Sequence, residues 1–149
     1  MKKSIKKIEK ISTLNRDIFS KRKRSQIMSA VKGENTLLEK EVFLFLKKKR
    51  IRFKSHCSAL IGKPDIAFPK KKKVIFIDSD FWHGWRYPKW KSKLTSDFWI
   101  KKIDANRKRD TKVNRILKKA GWKILRIWEH NLSKKKEESL KGIINFLKR

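Results

Sequence analysis

The apolar residues of this chain fall into short runs whose spacing shifts from a helical period to a strand period and back. In "ENTLLEKEVFLFLKKKR", Leu38, Val42, Phe45, Leu46 and Lys49 share one face at i, i+4, i+7 and i+8 spacing, which predicts an amphipathic helix. Asn35 or Thr36 supplies its cap, and Glu39 stands at the capping-box distance from Thr36. "IRFKSH" alternates as a half-buried strand does. "IGKPDIAF" reads as a turn entering a short strand over Asp65–Phe68, and "PKKKK" as a loop. "KVIFID" is a continuous β-branched and aromatic run, the pattern of a central strand. "TSDFWIKKIDANRKRDTKVNRILKKAG" predicts a long helix, capped by Thr95 or Ser96 and stopped by Gly121. Its apolar positions are Phe98 or Trp99, Ile103, Val113, Ile116 and Leu117. "WKILRIWE" is a further strand. "SKKKEESLKGIINFLKR" is a terminal helix with Leu140, Ile143, Ile144 and Leu147 inward. The order is helix, three strands, helix, strand, helix: an α/β architecture with a mixed central sheet flanked by helices.

Before these elements the pattern dissolves. Residues 1–24 carry no sustained period and read as a basic N-terminal arm, flexible until it meets a polyanion. "SQIMSAV" reads as a short helix ended by Gly33. Residues 25–149 then form a single domain, long enough to bury a core without disulfides.

Charge changes the picture more than composition does. The chain of 149 residues carries 44 Lys+Arg against 14 Asp+Glu, a formal net charge of +30. A self-repelling surface of this kind suits a polyanionic partner, nucleic acid first. The duller source of such charge is an A+T-rich genome, which inflates Lys. The single cysteine, Cys57, excludes an internal disulfide and a cysteine-built zinc cage. It fits a reducing cytoplasm. The basic start lacks the apolar segment of a secretory signal, and no apolar run approaches the roughly 20 residues of a membrane span.

The candidate chemistry lies where the central strands end. Asp65 opens one strand and Asp78 closes the next. If the two strands are hairpin neighbours across "PKKKK", their carboxylates meet at one end of the sheet and attract a hard divalent ion such as Mg²⁺. Near DNA such an ion polarises a phosphodiester and activates water. His83 is placed to take the proton. Glu39 sits in a helix that must pack on the same sheet, and Asn106 and Asp110 share a face of the long helix at i, i+4. Each has a plainer alternative: Glu39 as a capping-box acid only, Asn106 and Asp110 as solvated helix residues. His56 and His130 are set aside as structural or exposed. A pure DNA binder has no use for carboxylates facing phosphates.

Several stretches, "SKRKRSQIMSAVKGENTLLEK", "GKPDIAF", "VIFIDSDFWHG", "SDFWIKKIDANRKRD" and "GWKILRIWE", resemble in order and spacing the very short patch repair (Vsr) DNA mismatch endonucleases. The resemblance runs from Ser20 to about Leu132. It implies a restriction-endonuclease-like core of the PD-(D/E)XK type. It implies an Mg²⁺-dependent endonuclease nicking one strand of double-stranded DNA 5′ of the thymine in a T:G mismatch. Asp65 then matches the metal-binding aspartate, with the backbone carbonyl of Ile77 completing the shell. His83 matches the histidine that activates water, and Glu39, Asn106 and Asp110 match supporting polar residues. Phe81, Trp82 and Trp99 match aromatics that enter the base stack beside the mismatch. Arg22, Lys23, Arg24 and Lys63 are expected on the DNA. The setting implied is a monomer in the bacterial cytoplasm, with a mismatch-repair protein as a further partner.

Two departures stand out. The family commonly carries a structural zinc site, with cysteines where this chain has Asp80, Trp85, Tyr87 and His130. No structural zinc is expected here. A well-known form of the family has histidine at the place of Asp78. The alternatives to mismatch repair are a restriction or mobile-element nuclease of the same fold, or a non-catalytic DNA-binding protein.

Overall fold

The computed structural model describes residues 20–30, 33, 34, 36–94 and 96–149. Residues 1–19 of the expected arm, and Thr95 and Asn35 as capping candidates, lie outside the described residues. The helices are α1 (Lys21–Ala30), α2 (Leu37–Lys48), α3 (Asp97–Lys119), α4 (Glu129–Lys134) and α5 (Lys136–Lys148). The strands are β1 (Lys54–Ser55), β2 (Ile66–Phe68), β3 (Lys73–Asp78) and β4 (Lys123–Trp128). They form one mixed sheet in the order β1-β2-β3-β4. β1, β2 and β3 pair antiparallel, with Ile66 opposite Ile75. β3 and β4 run parallel, with Asp78 opposite Trp128. A parallel pair needs a crossover, and α3 supplies it.

Period-two alternation distributes the apolar run of the central strands over both faces. Ile66, Phe68, Ile75 and Ile127 pack with Val42 and Leu46 of α2, Leu132 of α4, and Ile143 and Leu147 of α5. Ala67, Val74 and Phe76 pack with Val113 and Leu117 of α3. The sheet is therefore a middle layer, which is why "KVIFID" shows no amphipathic alternation.

α2 starts as its sequence predicts. The Thr36 hydroxyl accepts the Glu39 N–H at 3.3 Å and donates to Glu39 Oε1 at 2.9 Å. α1 begins four residues before "SQIMSAV", so Lys21–Arg24 of the expected arm form its first turn. β1 is much shorter than "IRFKSH" suggested, because the chain leaves the extended region at His56, whose φ is +44°. α4 was not foreseen; it follows β4 at once and buries Leu132.

One residue of the apolar run is a buried lysine. Lys73 extends from β3 to the end of α5, where its Nζ donates to the carbonyls of Phe146 at 2.9 Å and Leu147 at 3.1 Å. Lys71 reaches the same Leu147 carbonyl, and Lys123 reaches that of Arg149. Cations thus satisfy carbonyls that a helix C-terminus leaves open, where its dipole is negative.

Candidate active site

Two clusters of side chains lie in adjoining cavities beside β2 and β3, with Asp78 and His83 lining both. The first surrounds Asp65. Its backbone carbonyl accepts the His56 N–H at 3.0 Å, which extends the β1–β2 pairing past the last strand residue. Its Oδ2 accepts the Ile77 N–H at 2.7 Å, so a side chain takes over where a backbone carbonyl would continue the ladder. Glu39 of α2 and His56 face it. One ligand atom each from Glu39, His56 and Asp65 lie within 4.8 Å of one another, an arrangement that suits a metal ion. Burial pushes the Asp65 carboxyl up to about 6; the Ile77 N–H opposes this, Glu39 adds to it, His56 opposes it, and Asp78 adds to it.

The second cluster surrounds His83, on the loop after β3. Its Nδ1 lies 2.6 Å from Asp110 Oδ2 of α3. With Asp110 ionised, that contact makes Nδ1 the donor and leaves Nε2 as the acceptor. Burial pushes the Asp110 carboxyl up, but the hydrogen bond and charge of His83, then Arg126 and Arg109, outweigh it and hold the pKa below its ordinary value. Arg126 of β4 grips Asp78 with Nη1 at 2.8 and 2.7 Å from its two oxygens, places Nη2 3.5 Å from Asp110, and donates from Nε to Asn114 at 3.1 Å. Its guanidinium also lies 4.4 Å from the centre of the Phe76 ring.

Placement of the expected residues is mixed. Glu39, Asp65, Ile77, Asp78, His83 and Asn106 all line one of these cavities. Asp78 is placed differently from the expectation of a second metal carboxylate beside Asp65. Side-chain alternation turns it toward α3, together with Val74 and Phe76, and its charge is matched by Arg126. Asn106 is buried and donates from Nδ2 to the Trp82 carbonyl at 3.0 Å. Asn106 and Asp110 thus hold successive residues of the same loop.

The aromatics form a connected stack. Phe81 lies parallel to Trp90, 5.7 Å between centres and 18° between planes, and meets Trp82 edge-on at 4.9 Å. Trp82 and Trp99 are 5.6 Å apart, and Phe98 is edge-on to Trp99. Phe81 and Trp82 are half-buried. Trp99, grouped above with the intercalating rings, is only 8% exposed, since the first turn of α3 turns it inward behind Trp82. Arg22 and Lys23 are exposed on α1; the Arg24 guanidinium sits over the Phe98 ring at 5.0 Å. Lys63 is ion-paired with Glu34 at the cavity rim, and its hydrogen bond lowers the Glu34 pKa.

Three residues of this region escaped the sequence reading. His56 had been set aside, and only the pairing of β1 with β2 brings it to Asp65. Arg126 left a signal: a cation in the middle of the apolar run "WKILRIWE", flanked on both sides by apolar residues, needs a buried partner. His130 had also been set aside. Its Nδ1 lies 2.7 Å from Asp80 Oδ1, the Asp80 N–H reaches Glu129, and the Trp85 ring lies 4.7 Å from that of His130 and 4.9 Å from that of Trp128.

The profile of the DNA mismatch endonuclease Vsr family matches residues 16–89. The chain is 38% identical over 122 residues to the Type II nicking enzyme V.XorIIP of Xanthomonas oryzae pv. oryzae, covering 78% of this chain and 87% of that one. It is 36% identical over 125 residues to the Type II nicking enzyme V.HpaIIP of Haemophilus parainfluenzae, covering 82% and 89%. It is 32% identical over 114 residues to the DNA mismatch endonuclease Vsr of Escherichia coli K12, covering 76% and 73%. The class is therefore endodeoxyribonuclease. Within that class, the chain belongs to the Vsr family. Among the described residues, no helix is long and apolar enough to cross a membrane.

Proposed function

We propose that the protein nicks one strand of duplex DNA beside a T:G mismatch, using a divalent ion held at Asp65. The observation that carries this reading is that the Asp65 cluster shares one cavity with His83, which Lys63, Lys102 and Arg109 also line, while Asp110 holds the His83 ring from behind. Those cations suit a phosphate backbone. The mixed sheet with its flanking helices supports a restriction-endonuclease-like core.

The residues present fit a divalent ion: two carboxylates and an imidazole within reach of one point, with the Ile77 carbonyl as an expected fourth donor. Held by Asp65, Glu39 and His56, a divalent ion such as Mg²⁺ would supply Lewis-acid polarisation of the scissile phosphate and stabilise its developing charge. His83 accepts the proton of the attacking water at Nε2. Asp110 fixes the ring through Nδ1 and stabilises the imidazolium that results. Arg126 holds Asp110 and Asp78 in place and helps His83 keep the Asp110 pKa low. Asn106 holds the Trp82 carbonyl, so the loop presents Phe81 and Trp82 at a constant height above the cavity. These rings enter the base stack, where unstacking costs a few kcal/mol and least at a mispair. Trp99 backs Trp82 from the core side.

The zinc site of the family does not fit this chain. Of Asp80, Trp85, Tyr87 and His130, only Asp80 and His130 offer good ligand atoms, and these two bond to each other. Their bond and the stacked Trp85 tie the loop to the end of β4. Elemental analysis of the purified protein should find no stoichiometric zinc; one zinc per chain would refute this.

The direct test of the function is strand nicking on a T:G duplex and its T:A control, with Mg²⁺ or EDTA. Wild type should nick the mismatched duplex only with the metal. Asp65→Ala should bind the duplex without cutting it. Equal cutting of both duplexes would replace the repair reading with a restriction-like one.

A further inference from the structure

The cluster behind Asp65 contains a donor that an all-oxygen magnesium site lacks. Each of its two carboxylates commits one oxygen to the fold: Asp65 Oδ2 accepts the Ile77 N–H, and Glu39 Oε1 accepts the Thr36 hydroxyl. The second oxygen of each is turned to the same imidazole. Glu39 Oε2 lies 3.5 Å from His56 Nε2, and Asp65 Oδ1 lies 4.0 Å from His56 Nδ1. The three side chains are enclosed, at 4%, 16% and 13% exposure for Glu39, Asp65 and His56.

His56 is held in this position from several sides. Its N–H is bonded to the Asp65 carbonyl, its backbone adopts a left-handed conformation, and the Phe43 ring meets its imidazole edge-on at 5.6 Å. Octahedral ligation at 2.0–2.2 Å separates neighbouring donor atoms by about 3 Å. Ligation therefore requires the three donor atoms, now within 4.8 Å of one another, to draw together around the ion. Glu39 and Asp65 come from different elements, yet both direct their remaining oxygen at His56. Glu39 Oε2 faces Nε2 and Asp65 Oδ1 faces Nδ1, so ligation takes one ring nitrogen and leaves the other facing a carboxylate.

We propose that His56 is a nitrogen ligand of the active-site ion, and that it makes this centre favour Mn²⁺ over Mg²⁺. The proposal rests on the reading of Asp65 as the metal carboxylate. Mg²⁺ is confined to oxygen donors and gives up its water reluctantly. Mn²⁺ shares the octahedral, oxygen-rich geometry of Mg²⁺, and as a first-row transition ion it tolerates one imidazole nitrogen in that shell better than Mg²⁺ does. The Asp65 and Glu39 oxygens hold either ion, and His56 adds affinity for one.

The test measures metal binding by the full chain without DNA. Free Mn²⁺ is followed by electron paramagnetic resonance, Mg²⁺ by its displacement of bound Mn²⁺. Pulsed measurements on bound Mn²⁺ report nitrogen coupling directly. The variants are His56→Gln, His56→Asn and Asp65→Asn. Asparagine tolerates the left-handed backbone, so His56→Asn keeps the test valid if the glutamine variant misfolds. Wild type should bind one Mn²⁺ with imidazole nitrogen coupling and prefer it to Mg²⁺ by about 10-fold or more. Both His56 variants should lose the coupling and most of that preference, with Mg²⁺ affinity nearly unchanged. An equal loss of both metals would make His56 an outer hydrogen-bond partner and overturn the proposal, as would an unchanged preference. Asp65→Asn should lose both ions. If instead it binds Mn²⁺ as wild type does, the assignment of Asp65 itself fails, a different outcome from the failure of His56 alone.

Discussion

Asp65 is electrostatically costly in the metal-free protein, and the cost has a sign and a pH window. Its carboxyl is raised from 3.8 to about 6 in the folded chain, chiefly by burial. Below pH 3.8 it is protonated in both states and contributes nothing. Between about 4 and 6 the unfolded chain ionises while the folded chain keeps its proton, so stability falls as pH rises. Above about 6 both states are ionised and the full penalty stands, about 3 kcal/mol for roughly two pKa units. Asp65→Asn removes the charge but keeps an oxygen to accept the Ile77 N–H. Near pH 4 it should therefore match wild type. At pH 7.5 without metal it should be the more stable protein by about 1–3 kcal/mol, or several degrees of Tm at about 2–4 °C per kcal/mol. A divalent ion should restore wild type and leave the variant unmoved, since only wild type gains from ligation. Urea denaturation across pH 4–8, with and without Mn²⁺, measures all of this. A difference between the two proteins that is flat in pH, or that favours wild type at pH 7.5 without metal, would refute the reasoning.

The remaining expectations concern the neighbouring groups. Arg126→Met strands the buried Asp78 charge and should cost about 3–5 kcal/mol, whereas Asp78→Asn combined with Arg126→Met should recover much of it; additive losses in urea melts would argue against the pair. His83→Ala should lower kcat by roughly 10²-fold or more with little change in duplex affinity, as loss of a general base does; near-normal single-turnover cleavage would remove it from the mechanism. Trp99→Ala should lose about 3–5 kcal/mol of stability as a core deletion. Trp82→Ala should melt closer to wild type yet lose discrimination between T:G and T:A duplexes, and unchanged discrimination would return Trp82 to packing alone.

What the sequence disclosed follows from what is local in the chain. The helix starting at Thr36, the central strand "KVIFID" and the long helix ending before Gly121 are each announced by period and cap, and each is present. Asp65 and His83 were recognisable because each stands at a strand end or just past one. The neighbours of Asp78 were not recognisable, since they depend on the register between β3 and β4. That register sets Arg126 opposite Phe76, and alternation then places Asp78 on the same face, next to the guanidinium. Nothing within either strand specifies this pairing. His56 was hidden for the same reason, being nine positions from Asp65 in sequence but bonded to it across the β1–β2 edge.

One element connects what the separate motifs could not. Along α3, Trp99, Ile103, Asn106, Asp110, Val113 and Leu117 recur at steps of three and four and form a single stripe toward the sheet. Read from its start, that stripe backs Trp82, holds the Trp82 carbonyl, fixes the His83 ring, and ends in the core beneath β2 and β3. Val113 also closes against Gly62, where a side-chain carbon would lie 2.4 Å from its Cγ1, so the loop leading to Asp65 rests on the same helix. Glycine at φ +78° permits that approach. A helix of this length is about 34 Å long and stiff when packed along one face. The rings proposed to part the base stack, the base proposed to activate water and the loop before the metal carboxylate are thus registered to one rigid rod. Displacing α3 by its anchor at Val113 or Leu117 would shift all three together. On the proposed function, recognition of the open mispair and hydrolysis of the neighbouring phosphate would be a single alignment rather than two.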